Sequence, residues 1–367
     1  MPQNLDFPPL VELDDSLEAI NGFFETQGWT DGLPVVPPTP DRVREMLRYV
    51  DRDPDEVVAR LAPRNGEATV ERIAINAVMA GCRPEYLPVL ITAVQAVAEE
   101  PFNLNGIQST THPCGVFILV NGPVGRELNV NSGYNCFGQG WRANMTIGRA
   151  MRLVMLNIGG GTPGDGDRST MGTPAKIAFC AAENEDANPW QPLHVEKGFA
   201  LDDSTVTVMA CEGPHNMQDH GSITALGLLT TMAMSMREAG GNQFLRGGGE
   251  PMAVFGPEHA AAIAEGGYSK DDVKRFLAEH GNLPLDEASP DWATRAGGED
   301  IVHTPDARPA IRLTEHWSRI NVIVAGGAGK HSAWIPTFGS TDMTNTVTRR
   351  IERRDGSPIR SVYDLAK

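Results

Sequence analysis

A strand-like apolar run that breaks at a Gly-Pro pair occurs twice in this chain, and the spacing of the two copies limits what it can fold into. The first reads V-F-I-L-V-N-G-P over residues 116–123 and runs on to Gly133-Tyr134; the second reads M-A-V-F-G-P over 252–257 and runs on to Gly267-Tyr268. From Pro123 to Pro257, and again from Tyr134 to Tyr268, the offset is 134 residues. Apolar stretches of helical period precede the copies (87–99 and 223–236) and follow them (144–156 and 270–280).

Strands alternating with helices predict an α/β fold. The offset predicts internal duplication: two related α/β lobes facing one another, with polar loops gathered where they meet. The first lobe is expected over 67–212 and the second over 213–345. An N-terminal arm, helical and then Pro-rich, takes 1–66, and a polar tail takes 346–367. Residues 205–210, followed by C-E-G-P-H-N, match 321–325, followed by G-G-A-G-K-H, as strand plus turn.

Local signals fill in the elements. Leu17, Ile20, Phe23 and Phe24 fall at helical spacing and Gly28 stops that helix. G-W-T-D-G-L-P-V-V-P-P-T-P (28–40) cannot be helical, because each proline forces extended backbone on the residue before it. Thr39-Pro40 opens the next helix, and Thr69 to Gly81 repeats the threonine-capped, glycine-ended design. Residues 176–182 read as a strand, and the Gly-rich 159–173 as a loop whose amides can face a ligand.

A chain of 367 residues is long enough for two lobes. Lys plus Arg number 31 against 47 Asp plus Glu, a net charge of −16, which argues against nucleic acid or an anionic membrane as partner. No apolar run approaches the roughly 18–20 residues that span a bilayer. The first ten residues lack a basic and apolar leader, and the five cysteines show no C-x-x-C. Together these predict a cytoplasmic chain without a disulfide framework.

Chemistry is expected in the loops that follow strands, where helix N-termini offer free amides. C-E-G-P-H-N-M-Q-D-H presents Cys211, His215 and His220: a nucleophilic thiol with an imidazole, or ligands for a divalent metal. Glu183, beside Glu185 and near Lys176, is a candidate acid or base. Asn121, Tyr134, Arg142, Asn144 and Arg149, in a loop that also holds His112, Cys114 and Cys136, suit recognition of a polar or carboxylated small molecule. Lys330 and His331 in the Gly-rich turn suit an anion, and Asp31 sits in the stiff loop expected to fold over the site. No G-x-G-x-x-G dinucleotide fingerprint follows a strand, and no P-loop occurs. No organic cofactor is therefore expected.

G-W-T-D-G-L-P-V-V-P-P-T, N-G-P with N-S-G-Y-N, R-A-N-M-T-I-G-R-A, A-E-N-E, E-G-P-H-N and G-G-A-G-K-H-S-A, taken together, resemble a bacterial family associated with UGSC-type proteins. That type is named for a motif containing selenocysteine or cysteine. The resemblance spans residues 28–340, and no C-G-S-C occurs here. It implies a separate UGSC-type partner chain and assigns no site residue.

The expectation is an oligomeric enzyme of lyase, hydratase or hydrolase type, acting on a small polar or carboxylated substrate in the inter-lobe cleft by acid–base or thiol chemistry. Two alternatives stand beside it: the substrate-binding subunit of a thiol- or selenol-dependent reductase, and a non-catalytic small-molecule-binding protein.

Overall fold

The computed structural model describes residues 10–246, 249–295, 300–339 and 344–366. Its strands in chain order are β1 (Val57–Leu61), β2 (Gly66–Thr69), β3 (Gly115–Asn121), β4 (Cys180–Ala182), β5 (Thr205–Cys211), β6 (His215–Gln218), β7 (Met252–Phe255), β8 (Leu283–Pro284), β9 (Ile301–His303), β10 (Pro309–Ile311), β11 (Asn321–Val324), β12 (His331–Ile335) and β13 (Val347–Arg350). β1 and β2 form a hairpin, and β8, β10 and β9 a small antiparallel sheet. The body of the fold is two four-stranded sheets, ordered β13-β5-β3-β4 and β6-β12-β7-β11. With the helices around them they make an α/β fold.

These two sheets share one order of strand senses. β4 runs parallel to β3, β5 antiparallel to β3, and β13 antiparallel to β5. In the second sheet β11 runs parallel to β7, β12 antiparallel to β7, and β6 antiparallel to β12. β6 follows β5 in sequence yet lies in the second sheet, while β13, from the expected tail, completes the first.

By sheet position β5 therefore answers to β12, and β4 to β11. The sequence match of 205–210 with 321–325 is corrected accordingly. It failed because β4 is only three residues long and is preceded by a 3-10 turn at Pro174–Lys176 rather than by more strand.

Alternation explains the layers. Val116, Ile118 and Val120 of β3 pack outward against the helices Val70–Ala80, Leu87–Val97 and Arg142–Asn157. Phe117 and Leu119 point the other way and meet Met252, Val254, Ile323 and Ile335 of the second sheet. Ala253, Phe255, Val322 and Val324 face the helices Ala225–Ser235, Pro257–Glu265 and Lys270–His280. Sheet thus lies on sheet with helices outside. A strand covered on both faces must be apolar at every position, which is why β3 is buried throughout and reads as a continuous run.

The repeated Gly-Pro pairs have a steric cause. A Cβ at Gly122 would lie 2.2 Å from the Asp203 carbonyl oxygen, just before β5; at Gly256 it would lie 2.2 Å from that of His331, which opens β12. Pro123 and Pro257 then each start a helix, where a missing N–H costs nothing. Gly122 also has φ +86°, a conformation that side chains other than glycine resist.

The N-terminal helix Leu17–Thr26 is capped by Ser16, whose hydroxyl accepts from the Ala19 amide at 3.1 Å. Trp29 packs edge-on against Phe23 and Phe24, which docks the Pro-rich loop. Among the described residues no helix is long and apolar enough to cross a membrane.

Candidate functional site

The passage of the chain from β5 into β6 creates a seam between the sheets. As β5 ends, Cys211 forms an antiparallel bridge with Thr337, just beyond β12. The Glu212 amide donates to the Pro336 carbonyl at 2.9 Å, and the Phe338 amide to that of Ala210 at 3.0 Å. Antiparallel register places Gly115, the first residue of β3, opposite Cys211. Residues just before β3 and just after β5 must therefore meet, although they are a hundred positions apart.

They meet as an ion-pair-like contact. His112 Nε2 lies 2.7 Å from Glu212 Oε1, with its ring stacked on Phe338 at 5.2 Å between centroids. A second dyad adjoins it. His215 opens β6 opposite Trp334, packs its ring against that indole at 5.4 Å, and turns Nδ1 to Glu238 Oε1, which follows the helix Ala225–Ser235.

Burial and the nearby Glu212 carboxylate both push the Glu238 carboxyl up, against the pull of His215. Two carboxylates close enough to disturb one another, each with its own imidazole, are an arrangement suited to proton transfer.

The geometry also fixes where the protons go. In its neutral form His112 donates from Nε2 to Glu212, leaving the lone pair on Nδ1, a buried atom with no hydrogen-bond partner among the described residues. Neutral His215 donates from Nδ1 to Glu238 and leaves its lone pair on Nε2. One imidazole can then act as base while the other, protonated, acts as acid. Thr337 Oγ1, in a residue only 2% exposed, is likewise buried without a partner at the same seam. Lys176, whose backbone packs near Gly115, pairs its Nζ with Asp167 Oδ2 at 2.6 Å.

Of the residues singled out from the sequence, His215 and His112 stand in this constellation. Cys211 is fully buried between the sheets, and burial, followed by the neighbouring Cys114, pushes its thiol well up. That is the opposite of what a nucleophile requires. His220 lies at the other end of β6 from His215, its ring edge-on to that of His331 at 5.3 Å. Cys211, His215 and His220 do not converge, and among the described residues no group of three or more His, Cys, Asp or Glu is placed to hold a metal ion.

Glu183 sits at the opposite ends of β3 and β4. It is 4% exposed and accepts from Asn121 Nδ2 at 2.6 Å, the Leu193 amide at 2.8 Å and Asn188 Nδ2 at 2.8 Å. Burial pushes its carboxyl up, but its oxygens are spent on holding loops. Asn121 also donates to Glu185, whose other oxygen pairs with Arg126 at 2.8 Å.

Of the expected substrate clamps, Arg149, Arg142 and Asn144 are occupied. Arg149 makes a bidentate pair with Asp31, both bonds at 2.8 Å, and donates further to the Leu33 and Pro34 carbonyls. Arg142 Nε donates to the Gly81 carbonyl at the end of Val70–Ala80. Asn144 is buried and ties the 131–136 loop through Asn131 and Cys136. Tyr134 packs so tightly over Gly327 that a Cβ there would overlap its ring. His331 Nδ1 contacts Asn216 at 3.0 Å, and the Lys330 carbonyl accepts from the Asp219 amide.

The amides of the Gly-rich 159–173 loop mostly bond within the loop or to neighbouring backbone, as Gly164, Gly166 and Asp167 do. Sequence reading missed Glu212 and Glu238. The signal for Glu212 was its place directly after a strand whose antiparallel partner is preceded by His112. Glu238 had none.

Compared with models of known protein families, with curated proteins and with solved structures, the chain shows no match.

Proposed function

We propose that this chain is an enzyme that moves protons on a small polar substrate at the seam, with His112–Glu212 and His215–Glu238 as paired acid and base. One observation carries the reading: two imidazole–carboxylate dyads, contributed by three stretches of chain (before β3, from the end of β5 to the start of β6, and after the helix Ala225–Ser235), meet where the chain passes from one sheet to the other. Each carboxylate holds one ring nitrogen and leaves the other for a substrate, which must enter the seam to reach the buried His112 Nδ1. Acid on one side and base on the other suit isomerisation, or the addition and elimination of water. Loss or gain of a proton at carbon is common to these reactions. We also propose that the two halves descend from one doubled unit, on the strength of their shared strand senses and Gly-Pro turns.

The test works whichever product forms. The full chain is incubated in deuterium oxide with small 2-hydroxy, 3-hydroxy and 2-oxo acids and amides, and deuterium entry at carbon is followed by NMR. The reading requires catalysed exchange with at least one compound, and its loss by about 100-fold or more in His215→Gln and Glu212→Gln. Exchange that survives both substitutions would overturn it.

A second reading, a substrate-binding subunit working with a thiol- or selenol-bearing UGSC-type partner, is favoured by one observation. All five cysteines of this chain are buried, so redox chemistry at the seam would need its sulfur or selenium from elsewhere. Reductant-dependent turnover that appears only when such a partner is added would favour it.

A further inference from the structure

Resting on the acid–base reading above, we propose that Arg152, supported by Lys176, is an anion subsite that holds a carboxylate of the substrate. Arg152 lies on Arg142–Asn157 and is half-buried. Its Nε donates to the Lys176 carbonyl at 2.7 Å, and Nη1 reaches Gln108 Oε1 only at 3.5 Å. Among the described residues no carboxylate comes within ion-pair distance of it. Arg149, one turn earlier on the same helix, has its carboxylate in Asp31. In a chain of net charge −16, a withdrawn guanidinium with spare donors calls for a reason.

The local charge count makes the point sharper. Lys176 pairs with Asp167 at 2.6 Å, and the same carboxylate reaches Arg152 only through space, so the guanidinium has no direct ion pair of its own among the described residues. Taking a charge out of water is unfavourable when nothing compensates it. The free edge of a planar guanidinium matches a carboxylate with two parallel hydrogen bonds, which a lysine cannot reproduce.

The subsite adjoins the dyads. The Cys114 side chain lies within electrostatic reach of Lys176, Arg152, Glu212 and Asp167 alike. Lys176 also closes the short turn packed on Gly115, at the start of the strand that carries His112 into place. A small carboxylic acid anchored on Arg152 would thus lie beside the His112–Glu212 pair.

The experiment is calorimetric titration of the full chain with malonate, with uncharged malonamide as its isostere. Malonate is expected to bind saturably and malonamide at least about tenfold more weakly. Arg152→Gln should lose about tenfold or more in malonate affinity, and Arg152→Lys, which keeps charge but not the fork, should fall between. Ile223→Ala, at an exposed residue with no role in this cluster, should stay within about twofold of the parent. If Arg152→Gln does not fold, the Arg152→Lys series decides alone. Equal affinity for malonate and malonamide, undiminished affinity in the Arg152 variants, or no saturable malonate binding to the parent chain overturns the proposal. Each of those results leaves the deuterium test of the dyads standing. Loss of deuterium exchange with intact malonate affinity would do the reverse.

Discussion

Cys211 and Thr337 face one another in an antiparallel bridge at the point where the chain passes from one sheet to the other. The chain runs from β5 directly into the second sheet at β6, and β13 returns from beyond the last strand of that sheet to complete the first, which ties the two sheets together.

Unfolding should therefore be a single event. Leu119 is fully buried among Met252, Val254 and Ile323 of the facing sheet. Leu119→Ala should cost about 2–5 kcal/mol and leave one transition in denaturant. Ile223→Ala, at a residue 92% exposed, should stay within about 0.5 kcal/mol. Two separated transitions in the parent or in Leu119→Ala would contradict the interlocked picture.

His259 should make the fold acid-sensitive. It is 2% exposed, contacting Ser332 Oγ through Nδ1 at 2.8 Å and the Asp219 carbonyl through Nε2 at 3.2 Å. Burial pushes its pKa below the ordinary 6.5, although Asp219 and Glu258 lean the other way and His331 adds to the lowering. The native state thus binds fewer protons than the unfolded one, and stability is lost as pH falls below about 6.5. Denaturant curves at pH 7 and pH 5 should show a smaller loss in His259→Asn than in the parent, by up to about 1.4 kcal/mol per pH unit. Parallel losses would remove His259 from the account. Asp219 acts at lower pH. Burial alone would raise it, but bonds from the Thr231 hydroxyl and the Ser222 and Gly221 amides hold it down to about 2.

The thiols should be inert in the native chain. Burial pushes Cys82 up to about 12 and Cys136 up to about 11, and raises Cys114, Cys180 and Cys211 as well. Ellman's reagent should find far fewer than five thiols before unfolding and all five after it. Cys211→Ala should keep deuterium exchange within severalfold of the parent. A native thiol that reacts at once, or exchange abolished by Cys211→Ala, would restore the thiol mechanism.

Arg149→Ala should act on stability and not on ligand affinity. The Asp31 side chain is 6% exposed and that of Arg149 is 14%, so removing the guanidinium strands a buried carboxylate, at a cost of about 3 kcal/mol. By sequence Arg149 is a candidate substrate clamp. A large drop in malonate affinity with unchanged stability would return it to that role.

The elements were legible because local rules fix them. Residues 116–121 read as a strand and form β3, and the Thr69-capped, Gly81-ended helix stands at Val70–Ala80. Period and capping are properties of neighbouring residues, and a single sequence contains them. Which strands lie side by side is not a local property. Nothing in 347–350 announces a partner at Thr205–Cys211, and the brevity of β4 hid its equivalence to β11.

The site suffered for the same reason. Polar side chains crowding the strand ends, among them Glu183, Asn121 and Arg149, looked available for a ligand, yet folding spends them on loops and on each other. Glu238 becomes a partner of His215 only through the packing of the preceding helix against β6 and β12.

Site-resolved NMR titration of the Glu238 carboxyl carbon, in the parent chain and in Glu212→Gln, bears most directly on the claim that the two dyads form one site. The account predicts that Glu238 titrates above the ordinary carboxylate range and moves down when the Glu212 charge is removed. An ordinary titration, unmoved by Glu212→Gln, would show two unrelated histidine contacts and contradict it.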